Sequence, residues 1–377
     1  MSNQNHYQIA VVGAGLGGLV SAFELAQKGF KVLLLERKSL PRHKVCGEYI
    51  SNEVKPLLES LGLFPQDLDL PSITQLQLTA QNGQQAQSPL ALGGFGVSRY
   101  YLDQFLAQKA EEAGAQILLK TEVTNIQFEG SQFEVSTAKG GVFTADLVIG
   151  AHGKRSKLDK NLGRKFMKQK TPYVAVKQHF KADIPGELVS LHNFEGGYCG
   201  VSQVEEQRVN VCYLTTTRTF NAYDSIADYQ QKHLVKNPFL KTFFAKAEPL
   251  MPKPLVISQV NFSAKPQVEN HVLMVGDAAG LIHPLCGNGM AMAIHAAHLA
   301  SYYIAAFLEK KMNRAEMELA YQRAWKEQFA QRLRFGRIAS HTLGKSTLSN
   351  TAVRLAKSWP ALLHGVSRFA HGQYISV

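Results

Sequence analysis

Few residues of this sequence can cross-link the chain, and no stretch has the plain look of a membrane span. Four cysteines in 377 residues, Cys46, Cys199, Cys212 and Cys286, form no CxxC pair and no zinc-ligand spacing. That excludes a disulfide framework and a zinc module, and it fits a reducing cytoplasm. The N-terminus, MSNQNHYQ, is polar and runs straight into an apolar stretch, so no signal peptide is expected. The one long apolar segment, 289–308, carries His295 and His298, which suits a packed helix better than a membrane span. No metal is expected at these histidines, because no carboxylate completes a ligand set at a suitable spacing. Acidic residues stop altogether after Glu327, while Arg332, Arg334, Arg337, Lys345, Arg354, Lys357 and Arg368 follow. No nucleic-acid-binding motif accompanies this basic tail, so nucleic acid is not an expected partner. The tail reads as a solvated helical face, or as a surface for an anionic membrane or an acidic substrate. At this length two domains are expected.

What the chain does have is glycine in a telling place. In Gln8 to Arg37, QIAVVGAGLGGLVSAFELAQKGFKVLLLER, Ile9 to Val12 is a short β-rich run typical of a strand buried on both faces. Gly13 allows a tight turn, Gly15 a close approach of a pyrophosphate, and Gly18 close packing of the following helix. That helix, about Leu16 to Gln27, points its N-terminal N–H groups at the same place. Glu36 closes the next strand 18 residues beyond Gly18, near the usual offset for an acid on a ribose hydroxyl, with Arg37 beside it. This stretch is a dinucleotide site, and by itself it leaves FAD or NAD open.

Further on, Asn82-Gly83 signals a hairpin within 72–86. Ser98 caps a helix from Arg99 to about Ala113 that Gly114 stops. Residues 116–150 read as short strands returning to a parallel sheet, and 167–263 as mostly strands with one helical patch near 225–236. A second glycine-rich motif, VLMVGDAAGLIHPLCGNGMAMAIHAA, spans Val272 to Ala297. Asp277 there ends a strand, where its carboxylate can accept from a polyol or ribose hydroxyl. The helix after Gly289 turns its dipole toward charge developing on a flat ring.

The early GxGxxG, the SRYYLDQFL helix start and the late GDAAGxxxPxxGxGM, in that order, resemble the flavoprotein superfamily of para-hydroxybenzoate-hydroxylase-like aromatic hydroxylases and geranylgeranyl reductases, over roughly residues 7–300. The resemblance implies FAD, and an α/β fold in which a Rossmann-like FAD-binding domain (1–71, 97–165 and 264–308) is interleaved with a sheet-based substrate domain (72–96 and 166–263), followed by a C-terminal helical region (309–377). It implies that Gly13, Gly15 and Gly18 hold the pyrophosphate, Glu36 and Arg37 the adenosine end, and Arg99 the phosphate and ribityl region. Asp277 would bind the ribityl chain, and Gly287, Asn288, Gly289 and Met290 would line the ring.

KVCGEYIS is similar to a segment that passes near the flavin in the reductase and halogenase branches. It offers Cys46 and, as a buried acid of raised pKa, Glu48 as catalytic candidates. GGYCGVSQVEEQRVNVCYL matches a strand pair over the flavin, which offers Tyr198 and Cys199 as substrate-facing, with His283 as an orienting group. Two departures stand out. His152 replaces the aspartate of the family's GADG, which leaves NADPH or another electron donor open; His152 either bridges phosphate when protonated or simply terminates a strand. Neither Trp325 nor Trp359 falls in the strand pair, so halogenation is placed third. The leading expectation is a monooxygenase acting on an aromatic or lipophilic polyunsaturated substrate. Geranylgeranyl-reductase-like saturation of C=C bonds is the alternative, and a non-enzymatic flavin-binding module is a further one. Because both enzyme branches take greasy substrates, peripheral contact of the C-terminal region with the inner face of a membrane is expected. The oligomeric state is left open.

Overall fold

Three β-rich runs with no polar face, His6–Val12, Val32–Leu35 and the end of Val142–Gly150, pair in parallel inside the first sheet, as strands buried on both faces do. The structure, a computed structural model, describes residues 5–169, 171–343 and 346–375. Lys345 of the basic tail lies outside the described residues, as do the first four residues of MSNQNHYQ. Gln116–Leu118 extends the sheet beyond Val32–Leu35, and Val272–Met274 extends it beyond Val142–Gly150. Val12 is level with Leu35 and Gly150, and Gly150 with Met274. The loops after these four strands therefore gather at one carboxyl edge, where open α/β sheets bind ligands.

Leu16–Gln27 packs against Gly289–Leu308 and Arg99–Glu112 on this sheet. Gly289–Leu308 is, among the described residues, long and apolar enough to cross a membrane, but more than half of it is buried here, between Leu16–Gln27 and Arg314–Leu343.

The second sheet runs in the order 248–249, 173–181, 209–216, 197–203, 188–194, 72–79, 85–96, 49–51, with 255–258 also on 173–181. It is antiparallel except where Ser72–Thr79 meets Leu188–Phe194. One face buries Phe180, Phe194, Val211 and Tyr213 against Tyr229, Leu234 and Leu240. Leu240 comes from Pro238–Phe244, a helix the sequence reading omitted, although Asn237 as N-cap and proline at the first helical position announce it. The other face looks into the cleft between the sheets. Helices Ser346–Ser358 and Pro360–Ala370 lie against Gln85–Gly96, and Val353, Ala356 and Leu363 share a core with Tyr49, Ile73 and Leu76.

Candidate functional site

The cleft has a volume of about 650 Å³ and runs from the glycine turn to the C-terminal helices. At its first end Gly13 has φ +111°, and a Cβ there would lie 2.5 Å from the Ala151 carbonyl oxygen. A Cβ at Gly18 would collide with the Gly13 carbonyl oxygen. Gly15 differs: its Cβ position has nothing nearer than Ala151 O at 4.0 Å, and it caps Leu16–Gln27 with no side chain on the free N–H groups. Glu36 is buried in the wall, where its carboxylate accepts from Ala14 N at 2.8 Å, Lys38 N at 2.9 Å and Arg42 Nη2 at 3.2 Å. Arg37 lines the cleft from an exposed position.

Behind the turn lies a buried ionic knot. Asp159 Oδ1 is 3.0 Å from His152 Nε2 and accepts from Arg164 Nη1 at 2.8 Å. Arg164 Nη2 also donates to the carbonyls of Pro266 and Ala278, both at 2.9 Å. Burial would raise the Asp159 carboxyl, but the His152 and Arg164 contacts outweigh it and bring it down to about 2. Arg164 thus ties loop 151–164 to the Asp277 loop. The His152 imidazole is only 5% exposed and its Nε2 is held by Asp159, while its Nδ1 has no hydrogen-bond partner among the described residues and the residue lines the cleft. Asp277 lines the cleft, and burial raises its carboxyl despite the opposing charges of Lys265, Arg99 and Lys154. Burial lowers both lysines to about 8. Lys265 Nζ donates to the Lys154 and Asp277 carbonyls at 2.7 Å each. No local motif marks either lysine, and the sequence reading missed them.

At mid-cleft Arg99 clasps Asp103 with two hydrogen bonds, of 2.7 and 3.0 Å. Lys44, also missed, reaches Asp103 at 2.5 Å and the Ala14 carbonyl at 2.9 Å. Glu48 has a left-handed backbone, φ +54°, and no solvent exposure. Its carboxylate accepts from Lys177 Nζ at 2.5 Å and Arg99 N at 2.8 Å, and lies 2.6 Å from His179 Nε2. Burial alone would raise it, as expected from the sequence, but the His179 hydrogen bond and the Lys177 charge prevail and hold it below the usual carboxylate range. Glu48 is therefore an anchored anion and no proton donor. Asn210 Nδ2 donates to the carbonyls of Cys46 and Gly47, so the second sheet grips this loop from three of its residues. Cys46 lines the cleft, with burial pushing its thiol up.

The far end is aliphatic: Leu76, Leu78 and Leu191 from the second sheet face Leu363 and Val366 of the last helix. Tyr198 lines it too, its phenol held protonated by burial. Cys199 points through the sheet into the core around Phe194 and Tyr213, the opposite of the substrate-facing position expected. His283 is corrected likewise: it does not line the cleft but sits in a ring cluster with Tyr173, Tyr198 and Phe262. Gly287, φ +62°, packs on Tyr49, and with Asn288, Gly289 and Met290 it lines the cleft. The Asn288 side-chain amide is turned away to the Ala370 carbonyl at 3.0 Å. His371 stacks on Tyr49 with 5.8 Å between ring centroids. Among the described residues no group of His, Cys, Asp or Glu could hold a metal.

A family model described as an FAD binding domain matches residues 6–333. The chain belongs to this FAD binding domain family. It is an FAD-dependent oxidoreductase. Conditioned medium factor receptor 1 of Dictyostelium discoideum is 26% identical over 97% of this chain and 78% of its own length. Digeranylgeranylglycerophospholipid reductase 2 of Methanopyrus kandleri is 27% identical over 89% of this chain and 86% of its own. A geranylgeranyl bacteriochlorophyll reductase-like structure from Thermoplasma acidophilum superposes with TM-score 0.78 at 20% identity, covering 97% of this chain and 96% of that one. At that identity the likeness shows the fold, which is the α/β flavoprotein architecture expected from the motifs.

The residues present fit FAD. The open face of Gly15 at an uncapped helix start suits a pyrophosphate, and the Glu36 carboxylate beside it suits a ribose. Arg99, Lys154 and Asp277 converge midway, where phosphate and ribityl groups would lie. The segment 287–290 and the loop 46–48 flank the space left for the ring. When bound, FAD supplies hydride or electron transfer that no side chain here can provide.

Proposed function

We propose that this FAD-dependent oxidoreductase saturates C=C bonds of an isoprenoid-like lipid. The observation that carries the reading is the aliphatic far end of the cleft, formed by Leu76, Leu78, Leu191, Leu363 and Val366. A hydrocarbon chain gains from such a wall about 25 cal/mol for every Å² it buries, whereas a phenol gains orientation only from polar partners. Proton bookkeeping favours the same outcome. Saturating a double bond takes a hydride on one carbon and a proton on the other, so the site must donate. Burial raises both Tyr198 and Cys46, so neither ionises at neutral pH and neither is the base that would activate a phenol. Activity toward the digeranylgeranyl lipid named for the Methanopyrus relative is consistent with this preference. The reductase reading thus moves ahead of the monooxygenase that the motifs alone put first.

The test is anaerobic incubation of the dithionite-reduced holoprotein with a geranylgeranyl lipid, read by mass spectrometry. The expected product has gained one dihydrogen per double bond. A product that gains an oxygen atom when air is admitted, with no hydrogenated species beforehand, would establish the monooxygenase instead.

A further inference from the structure

Among the described residues, exposed large apolar side chains are concentrated in the C-terminal stretch of the chain. Of fifteen exposed large hydrophobic residues among those described, eight lie between Ile338 and Tyr374. Trp359 is 68% exposed, Leu362 47%, Phe369 46% and Leu355 46%. Trp359, Leu362, Val366 and Phe369 recur at helical spacing on the outside of Pro360–Ala370, while Leu363, Ser367 and Ala370 are buried underneath. Arg354, Lys357 and Arg368 are exposed on the same two helices, Arg334 is exposed just before them, and no Asp or Glu follows Glu327. Val366 belongs to both surfaces, being 39% exposed and lining the aliphatic end of the cleft.

We propose that the outer face of helices Ser346–Ser358 and Pro360–Ala370 docks on an anionic lipid bilayer, and that the cleft opens to its substrate at that face. The charge selects the occupant. A second copy of the chain would set this cluster of cations against an identical cluster, whereas an anionic leaflet neutralises the basic rim while the tryptophan and leucines enter the acyl boundary. The docking surface stands on exposure and charge alone. The entrance role rests additionally on the lipid substrate proposed above.

The FAD-loaded protein is mixed with phosphatidylcholine vesicles, with or without phosphatidylglycerol, and floated on a density gradient. Wild type is expected to float at least tenfold more with the anionic vesicles. The Leu355→Ser/Trp359→Ser/Leu362→Ser triple variant alters exposed side chains that do not line the cleft, so its FAD content and thermal midpoint should stay unchanged. It is expected to lose that binding at least tenfold, and Arg354→Gln/Lys357→Gln/Arg368→Gln to lose the preference for phosphatidylglycerol. Wild type that fails to float, a triple variant that floats like wild type, or a dimer in solution that buries Trp359 would each overturn docking. None of these readouts involves turnover, so they are independent of whether a double bond is reduced. Equal activity of wild type and the serine triple variant on vesicle-embedded lipid would overturn the entrance role alone.

Discussion

At the dinucleotide end of the cleft the critical groups sit on short contiguous stretches, 13–18, 36–37 and 276–290, and backbone geometry holds them. At the aliphatic end the wall is assembled from residues 76–78, 189–198 and 363–371, distant in sequence and held by side-chain packing across two sheets and a helical tail. Between the ends, the second sheet reaches over with Lys177, His179 and Asn210 to grip the loop 46–48. The contrast teaches that this fold keeps its cofactor end rigid through steric prohibition. Its aliphatic end depends instead on packing between residues far apart in the chain.

The grip on that loop is where the comparison breaks most sharply. Lys177→Met leaves Glu48 charged and buried without its counter-ion, and should lower unfolding stability by about 3–5 kcal/mol in a denaturant titration. Adding Glu48→Gln removes the orphaned charge, so the double variant should be more stable than Lys177→Met alone. If the two losses simply add, the residues do not act as a pair.

Two glycines separate folding from binding. Gly18→Ala drives a methyl into the Gly13 carbonyl and should cost about 1–3 kcal/mol of stability together with FAD. Gly15→Ala fills open space, so it should leave apoprotein stability near wild type yet weaken FAD binding, as read by flavin fluorescence. Equal stability losses would show that Gly15 is merely structural.

Acid should loosen the two ends in turn. Burial, with Arg332 nearby, brings His371 down to about 4 from 6.5. The fold therefore prefers its neutral form, and the stability this gives erodes as pH falls from 6.5 to 4. Asp159 is held at about 2 from 3.8, so its contribution, about 2 kcal/mol, stays in force above pH 4 and is lost between pH 4 and 2. Hydrogen exchange, corrected for intrinsic rates, should quicken first in 360–371 and only later in 150–164. His371→Phe should abolish the early phase, and simultaneous loosening would contradict the separation.

The smallest effect expected is Leu191→Trp. It narrows the aliphatic end and should raise KM for a long isoprenoid about tenfold, or about 1.4 kcal/mol, with FAD affinity unchanged.

The legibility of the site follows the same division. Gly13, Gly15, Gly18, Glu36, Asp277 and 287–290 could be read because each meets a local requirement, a positive φ, a close approach or a strand end, that few residue types satisfy. Lys44, Lys154 and Lys265 could not, because a lysine in a loop looks the same whether it is solvated, lines a cleft as Lys44 and Lys154 do, or ties two backbone carbonyls as Lys265 does. Tyr198 and Cys199 were both named as facing substrate. Strand alternation allows only one of two neighbours to do so, and which one depends on register against 188–194 and 209–216. The burial of Glu48 was expected, but the sign of its pKa shift depended on Lys177 and His179, some 130 residues away.

The sequence alone determined the parallel sheet, the glycine turn and the order of the flavin motifs, because these obey rules acting over a few neighbouring residues. Only the tertiary structure decided that Glu48 is an anchored anion, that His152 is locked on Asp159, and that the basic tail roofs the aliphatic end of the cleft. Burial, charge pairing and strand register are properties of residues far apart in the chain, and they exist only once the two sheets and the tail have come together.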